Sequence, residues 1–458
     1  MKRRQSRDSS DERRAGAKLL WLLIGASAGV LLLAAIARGL PQRALRVVAG
    51  EPDRGGQVGA WGPLHIRFSE PLASALPSNA VRIEGQPSPS VEVDGSSIVV
   101  RPAVALPAGE GHSLELSPDL LGADGSRLGA EVSWSFTVRD AAIAFLRREG
   151  GAWRLYRTAG EGPRLLSGER EVTSYSPAPD GSGVVFSGRN REGGSDLWWV
   201  DRNGENLRQL LECGPDRCLE PAWAPDEERI AFVRRPSGVE VSQEPRIWTL
   251  PLDGGEPAPL YQDPARRGTA PTWSPDGLRL AYYDPSVQGV RVLDLDTVTE
   301  DVLPTGTGVS GAWSPDGGSL LLPVMEFEGE TPLTALYKLD LSREQFTPVL
   351  RRGSGWRQVA VPAWSPEGDW IALAALREGS GPVPLMWRMR PDGSQAQTVG
   401  ALAGYAFGGP DWDPWGERLL FQRLRTGEPD AEPDLMVWSR QDGTDVRLTG
   451  AASGSWMP

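Results

Sequence analysis

Residues Trp273–Gly277 read WSPDG, and the same string returns at Trp313–Gly317. Variants stand at Trp364 (WSPEG), Trp223 (WAPDE) and Trp412 (WDPWG), and a weaker copy, YSPAPDG, begins at Tyr175. Successive anchors lie 48, 50, 40, 51 and 48 residues apart, and a last Trp-Met-Pro begins at Trp456. A period of this length marks one supersecondary unit used many times. The string is a turn: Pro sets φ at the first corner, Asp bonds back to the main chain, and Gly takes the positive φ that closes it. The aromatic ends one strand, and apolar runs such as Ile230–Val233 and Leu280–Tyr283 form the next. A third strand is centred on Trp198, Trp248, Val292, Tyr337, Trp387 or Trp438, and a tight turn, often Asp-Gly, leads to a fourth. Four antiparallel strands in roughly 45 residues predict a propeller blade.

Residues 142–458 number 317, room for seven blades. Ala142–Leu146 and Trp153–Tyr156 read as second and third strands with no anchor strand before them, and Trp456 is an anchor strand with nothing after it. Joined, they make one blade, so the C-terminal strand is expected to close the ring and remove two sheet edges.

WSPDG followed by an Ile-Ala-Phe strand (Ile230–Phe232) resembles the TolB-like, WD40-like β-propellers of bacterial envelopes. The resemblance covers about two-thirds of the chain and implies a binding or scaffold role. Glu227 in place of Gly, Trp415 inside a turn and Tyr175 in place of Trp depart from the pattern.

Before the repeats, residues 46–139 alternate in short strands. Val132, Trp134, Phe136 and Val138 alternate with Ser133, Ser135 and Thr137, the pattern of a half-buried strand. The strings IRFSEPL (Ile66–Leu72), VVRPAVALPAGEGHSLEL (Val99–Leu116), ADGSRLG (Ala123–Gly129) and WSFTV (Trp134–Val138) resemble the bacterial Ig-like domains of surface-layer proteins. That resemblance implies a two-sheet sandwich used as a spacer or adhesion module. The expected fold class is therefore all-β: an Ig-like β-sandwich, then a seven-bladed propeller.

Leu19–Ala37 is an uncharged apolar run between Lys18 and Arg38. At 1.5 Å per residue it spans roughly 28 Å, close to a bilayer core. The first 18 residues carry a net +4, which leaves −16 for the rest of a chain whose total is −12. The positive-inside rule therefore predicts a short cytoplasmic leader (1–18), a transmembrane signal anchor (19–37) and an extracytoplasmic remainder. A cleaved signal peptide is the alternative, with Ala35-Ile36-Ala37 as its cleavage site. The length of the leader and of the run favours the anchor. An acidic body argues against nucleic acid as a partner.

In a four-strand meander the tight SPDG and Asp-Gly turns share one face, and the long variable loops share the other. The chain enters and leaves the propeller on the tight-turn face, so the variable face is expected to point away from the sandwich. On it, Trp356 and the loop carboxylates Glu326, Glu328, Glu330, Asp430 and Asp434 are candidate ligand contacts. Cys213 and Cys218 are a disulfide candidate outside the cell. His65 and His112, the chain's two histidines, make no metal proposal, and no cofactor is expected. No His lies in 142–458, so a Ser-His-acid triad cannot form there, and the chain is expected not to be an enzyme. The expected partner is a protein or cell-envelope ligand. The alternative is a carboxylate-based glycan hydrolase or lyase acting in the propeller funnel.

Overall fold

The structure, a computed structural model, describes residues 44–159, 162–238, 244–428 and 430–458. Every regular element among them is a β-strand, and no helix there is long and apolar enough to cross a membrane. The expected leader and the expected membrane segment 19–37 lie outside the described residues.

Residues 47–138 form two four-stranded sheets. One runs in the order Val47–Glu51, Leu64–Phe68, Ser97–Arg101, Ser90–Asp94, and the other Gln57–Val58, Val132–Val138, Gly111–Leu116, Val81–Ile83. Leu64, Ile66 and Phe68 point inward while His65 and Arg67 stay exposed, as a period of two demands. Both sheets feed one core that includes Ile98, Val100, Leu114, Leu116 and Phe136. His112 stacks on Phe136 and meets the Pro107 carbonyl at 3.1 Å, whereas His65 is exposed on the other sheet.

From Ala142 onward the chain repeats a four-strand antiparallel meander. The units span 172–211, 217–259, 269–304, 312–350, 356–400 and 405–448, and Ala451–Met457 pairs with Ala142–Glu149 to head a further one. Their apolar faces pack on neighbours: Ala281 and Val292 of one unit share a cluster with Leu320 and Leu322 of the next. The 172–211 and 217–259 units merge into one sheet through a single parallel pairing, Ser195 with Arg217.

The turns explain the motif. In Ser274–Gly277 the Asp276 carboxylate accepts the Leu278 amide at 3.0 Å, the Ser274 hydroxyl accepts the Arg279 amide at 2.9 Å, and Gly277 sits at φ +70°. The same bonds recur at Ser314 and Asp316. Main-chain bonds also close the turn, from the Ser274 amide to the Arg279 carbonyl and from the Gly277 amide to the Ser274 carbonyl; in the 172–211 unit their counterparts, Ala178 to Gly183 and Gly181 to Ala178, put the turn at Ala178–Gly181. The anchor position there is therefore Pro177 rather than Tyr175, which lies two residues further back.

The anchor tryptophans do more than fill space. Five of the six donate their indole N–H to the carbonyl just before the anchor of the preceding unit. Trp273 bonds Ala222 at 3.0 Å, Trp313 bonds Thr272 at 3.3 Å, Trp364 bonds Ala312 at 3.1 Å, Trp412 bonds Ala363 at 3.2 Å and Trp456 bonds Asp411 at 3.2 Å. The indole N–H of Trp223 is buried with no partner. Pro177 has no such group, and the Tyr175 hydroxyl instead reaches the carbonyls of Ala144 and Ser453.

The sandwich touches the tight-turn face, and the departures from the motif lie there. Trp415 donates to the Leu106 carbonyl at 2.9 Å and packs beside the sandwich core. It is free to do so because Asp413 accepts both the Glu417 and Arg418 amides, the work divided elsewhere between Ser and Asp. Arg139 donates to the Asp180 carbonyl, Arg418 pairs with Asp140 at 2.8 Å, and a Cβ on Gly59 would meet the Asp180 carbonyl at 2.4 Å. Glu227, at φ +64°, lines a cleft with Glu51, Asp53 and His65 of the sandwich. Burial, with Asp180 adding to it, pushes the Glu227 carboxyl up to about 7.

Candidate functional site

On the variable face, where the 172–211 and 217–259 units meet, lies a cleft of about 370 Å³. Its lining includes Thr173, Ser174, Arg189, Ser195, Arg217 and Glu220. Thr173, Ser174 and Glu220 come from the first strands of their units, the inner edges at which successive units pack against one another. A bulge at Leu219–Ala222 turns Glu220 out at φ +50°, and its carboxylate accepts the Ala270 amide of the next unit at 2.7 Å. Arg189 pairs with Glu171 at 3.0 Å. Arg217 has no ion-pair partner among the described residues. The cleft thus offers two guanidinium groups, one carboxylate and three hydroxyls on an otherwise acidic chain.

The link 211–217 builds one wall. Cys213 and Cys218 are joined by a disulfide. Asp196 accepts the Cys213 amide at 2.9 Å, Asn190 donates to the Gly214 carbonyl at 2.7 Å, and Asp216 pairs with Arg234 at 2.8 Å. A Cβ on Gly194 would meet the Asp216 and Gly214 carbonyls at 2.2 and 2.3 Å, so only glycine lets this link press so close.

The residues expected to contact a ligand do not converge. Trp356 is 7% exposed and packs edge-on against Trp387, with rings 4.9 Å apart and Arg377 over its face. This candidate ligand contact therefore packs in the core of its unit. Glu326 accepts the Tyr337 hydroxyl at 2.6 Å, Glu328 pairs with Arg357 at 3.2 Å, and Glu330 is exposed in the hairpin turn. Asp430 is exposed on another loop, and Asp434 pairs with Arg423 at 3.0 Å. No group of three or more His, Cys, Asp or Glu that could hold a metal ion occurs among the described residues.

Sequence reading passed over two carboxylates. Asp411, on an inner strand, accepts the Trp456 amide at 2.7 Å and the Ser455 hydroxyl at 2.9 Å, yet burial still raises its carboxyl to about 6. Glu300 gathers Tyr261 at 2.7 Å, Tyr282 at 3.0 Å, Arg266 at 2.9 Å and Arg291 at 2.6 Å, while Arg291 also pairs with buried Asp284. Burial would raise Glu300, but bonds from both tyrosines and the two arginines outweigh it and hold the carboxyl below its usual range. Both Glu300 oxygens are occupied, each by two donors, the mark of a clamp rather than of a reactive group.

No family model matches the chain. It is 28% identical over 200 residues to the Bacillus subtilis protein named "Uncharacterized peptidase YuxL", covering 34% of this chain and 29% of that one. It is 40% identical over 58 residues to the Tol-Pal system protein TolB of Alcanivorax borkumensis, covering 12% of this chain and 13% of the other. The chain thus spans less than a third of the length of either curated relative. Among solved structures, TolB from Acinetobacter baumannii aligns over 91% of this chain and 99% of its own, at 14% identity and TM-score 0.40. A putative TolB from Agrobacterium tumefaciens aligns over 53% of this chain and 83% of its own, at 21% identity and TM-score 0.41. The repeat region is a TolB-like β-propeller fold, on its four-strand sheets and the TolB-matching stretch. The expectation that the chain is not an enzyme is overturned by the 200-residue match to a protein named as a peptidase. A missing histidine rules out His-dependent chemistry within the propeller and nothing wider.

Proposed function

We propose that the chain is a membrane-anchored, extracytoplasmic binding or scaffold protein. In this reading a signal anchor at 19–37 leaves the N-terminus in the cytoplasm. An Ig-like spacer then carries a seven-bladed TolB-like propeller whose variable face binds a protein or cell-envelope ligand. The observation that carries it is the seating of the sandwich on the tight-turn face through Trp415, Arg139 and Arg418, which leaves the cleft at Arg189 and Arg217 turned away from the spacer. What supports the count of seven is the division of the eight-strand sheet at its single parallel pairing, Ser195 with Arg217.

The test is photo-crosslinking in intact cells from a reactive side chain placed at Arg217, with Leu278 on the opposite face as control. Adducts from position 217 alone support the reading; equal adducts from both positions contradict it. The peptidase-named relative favours a second reading, in which the propeller serves a peptidase activity. Turnover of a peptide panel by the purified chain, lost with Arg217→Glu, would establish it.

A further inference from the structure

The units are not joined alike. At five junctions the anchor indole of one unit bonds the carbonyl beside the anchor of the unit before it. Between 172–211 and 217–259 the donor is present but unused, since the buried Trp223 N–H finds no acceptor. Between the inner strands serine hydroxyls take the main-chain amides instead: Ser174 accepts the Glu220 amide at 2.9 Å and Ser176 accepts the Trp223 amide at 3.3 Å. The disulfide sits at the same seam. The Cys218 carbonyl accepts the hydroxyls of both Ser187 and Ser195, and the Cys213 amide is held by Asp196, so the bridged link grips the 172–211 unit from its outer side. The Ser195–Arg217 pairing lies within this grip, and the Arg189–Arg217 cleft lies directly over it.

We propose that this seam is where the propeller ring opens, with the Cys213–Cys218 bond as its latch and the cleft above it as the site that opening widens. At five other junctions an indole bond near the tight-turn end of the inner strands resists separation, and at the junction before the 172–211 unit the Tyr175 hydroxyl, on the Ala144 and Ser453 carbonyls, takes that part. Here that end has none, and cohesion is concentrated in the link at the variable-face end. Cutting the bond frees the link, whose closed loop is short, and allows Arg217 and Glu220 to move away from Thr173 and Arg189. The inference rests on the sheet geometry and does not need the partner proposed above.

Amide hydrogen exchange of the full-length protein, with and without Cys213→Ser/Cys218→Ser, tests it without any ligand. Exchange in Val172–Pro177 and Arg217–Trp223 is expected to rise about tenfold, while Thr269–Trp273 and Ala363–Trp364 keep wild-type protection. Should the double variant not fold, dithiothreitol added to the folded protein gives the same comparison: the disulfide is reduced to two thiols as the reagent closes to its cyclic disulfide. An equal rise at the other inner strands, or unchanged exchange at this seam, would overturn the proposal. Either result leaves the binding reading to be judged by the crosslinking at Arg217.

Discussion

Two successive links of the propeller solve the same problem by different chemistry. The link 211–217 is closed on itself by a disulfide, at a seam whose indole donor is idle. The link 260–268 carries Tyr261 and Arg266 onto Glu300 of the following unit, at a seam where Trp273 bonds Ala222. The first is covalent and local. The second is a charge network anchored across the junction. The difference teaches that a shared repeat does not make the junctions equivalent, because each depends on residues in two units at once.

The largest effect should come from the charged link. Glu300→Ala leaves Arg266, Arg291 and two tyrosine hydroxyls without their shared acceptor and should cost about 3 kcal/mol, read by denaturant unfolding. This seam should also be acid-sensitive. Asp284 and Glu300 are both held below their usual ranges, Asp284 by bonds from Ser286 and Arg291 that outweigh its burial. Their contribution is present above the unfolded carboxylate pKa values and lost as pH falls through the depressed folded values. Stability measured from pH 6 down to pH 3 should therefore fall more steeply for wild type than for Glu300→Gln.

The covalent link should come next. Cys213→Ser/Cys218→Ser should cost about 2 kcal/mol by loop-closure entropy, a loss that does not grow below pH 5. Equal acid sensitivity in the two seams would break the comparison.

Glu227 sharpens it from the turn that follows the disulfide-held seam. Glu227→Gly, which supplies the residue that φ +64° favours, should stabilise by about 1 kcal/mol in thermal unfolding. The gain should grow with pH. The wild-type carboxyl is raised to about 7, so its penalty is absent below its ordinary range near 4.5 and complete only above about 7.

Much of the propeller was legible because its grammar repeats. The period, the SPDG turn and the split unit shared by Ala142 and Trp456 all follow from local residue chemistry. The weaker copy misled by two residues, since Tyr175 looks like an anchor and only the Ala178–Gly181 turn bonds reveal Pro177 in that place. The binding face was less legible. Loop carboxylates stand out in a sequence, but Glu326, Glu328 and Asp434 already have partners supplied by distant residues. The cleft at Arg189 and Arg217 joins residues from two units around a glycine whose role depends on carbonyls twenty residues away. The idle indole of Trp223 is likewise a property of Pro177 and Ser176 as much as of Trp223.

The most direct test is a matched pair of substitutions, Trp223→Phe and Trp273→Phe, compared by equilibrium unfolding in denaturant. Both remove an indole N–H and keep an aromatic ring, buried at 273 and half-buried at 223. If the anchors lock each unit to the one before it through that group, Trp273→Phe should cost about 1 kcal/mol and Trp223→Phe close to nothing. Equal losses at the two positions would contradict the account.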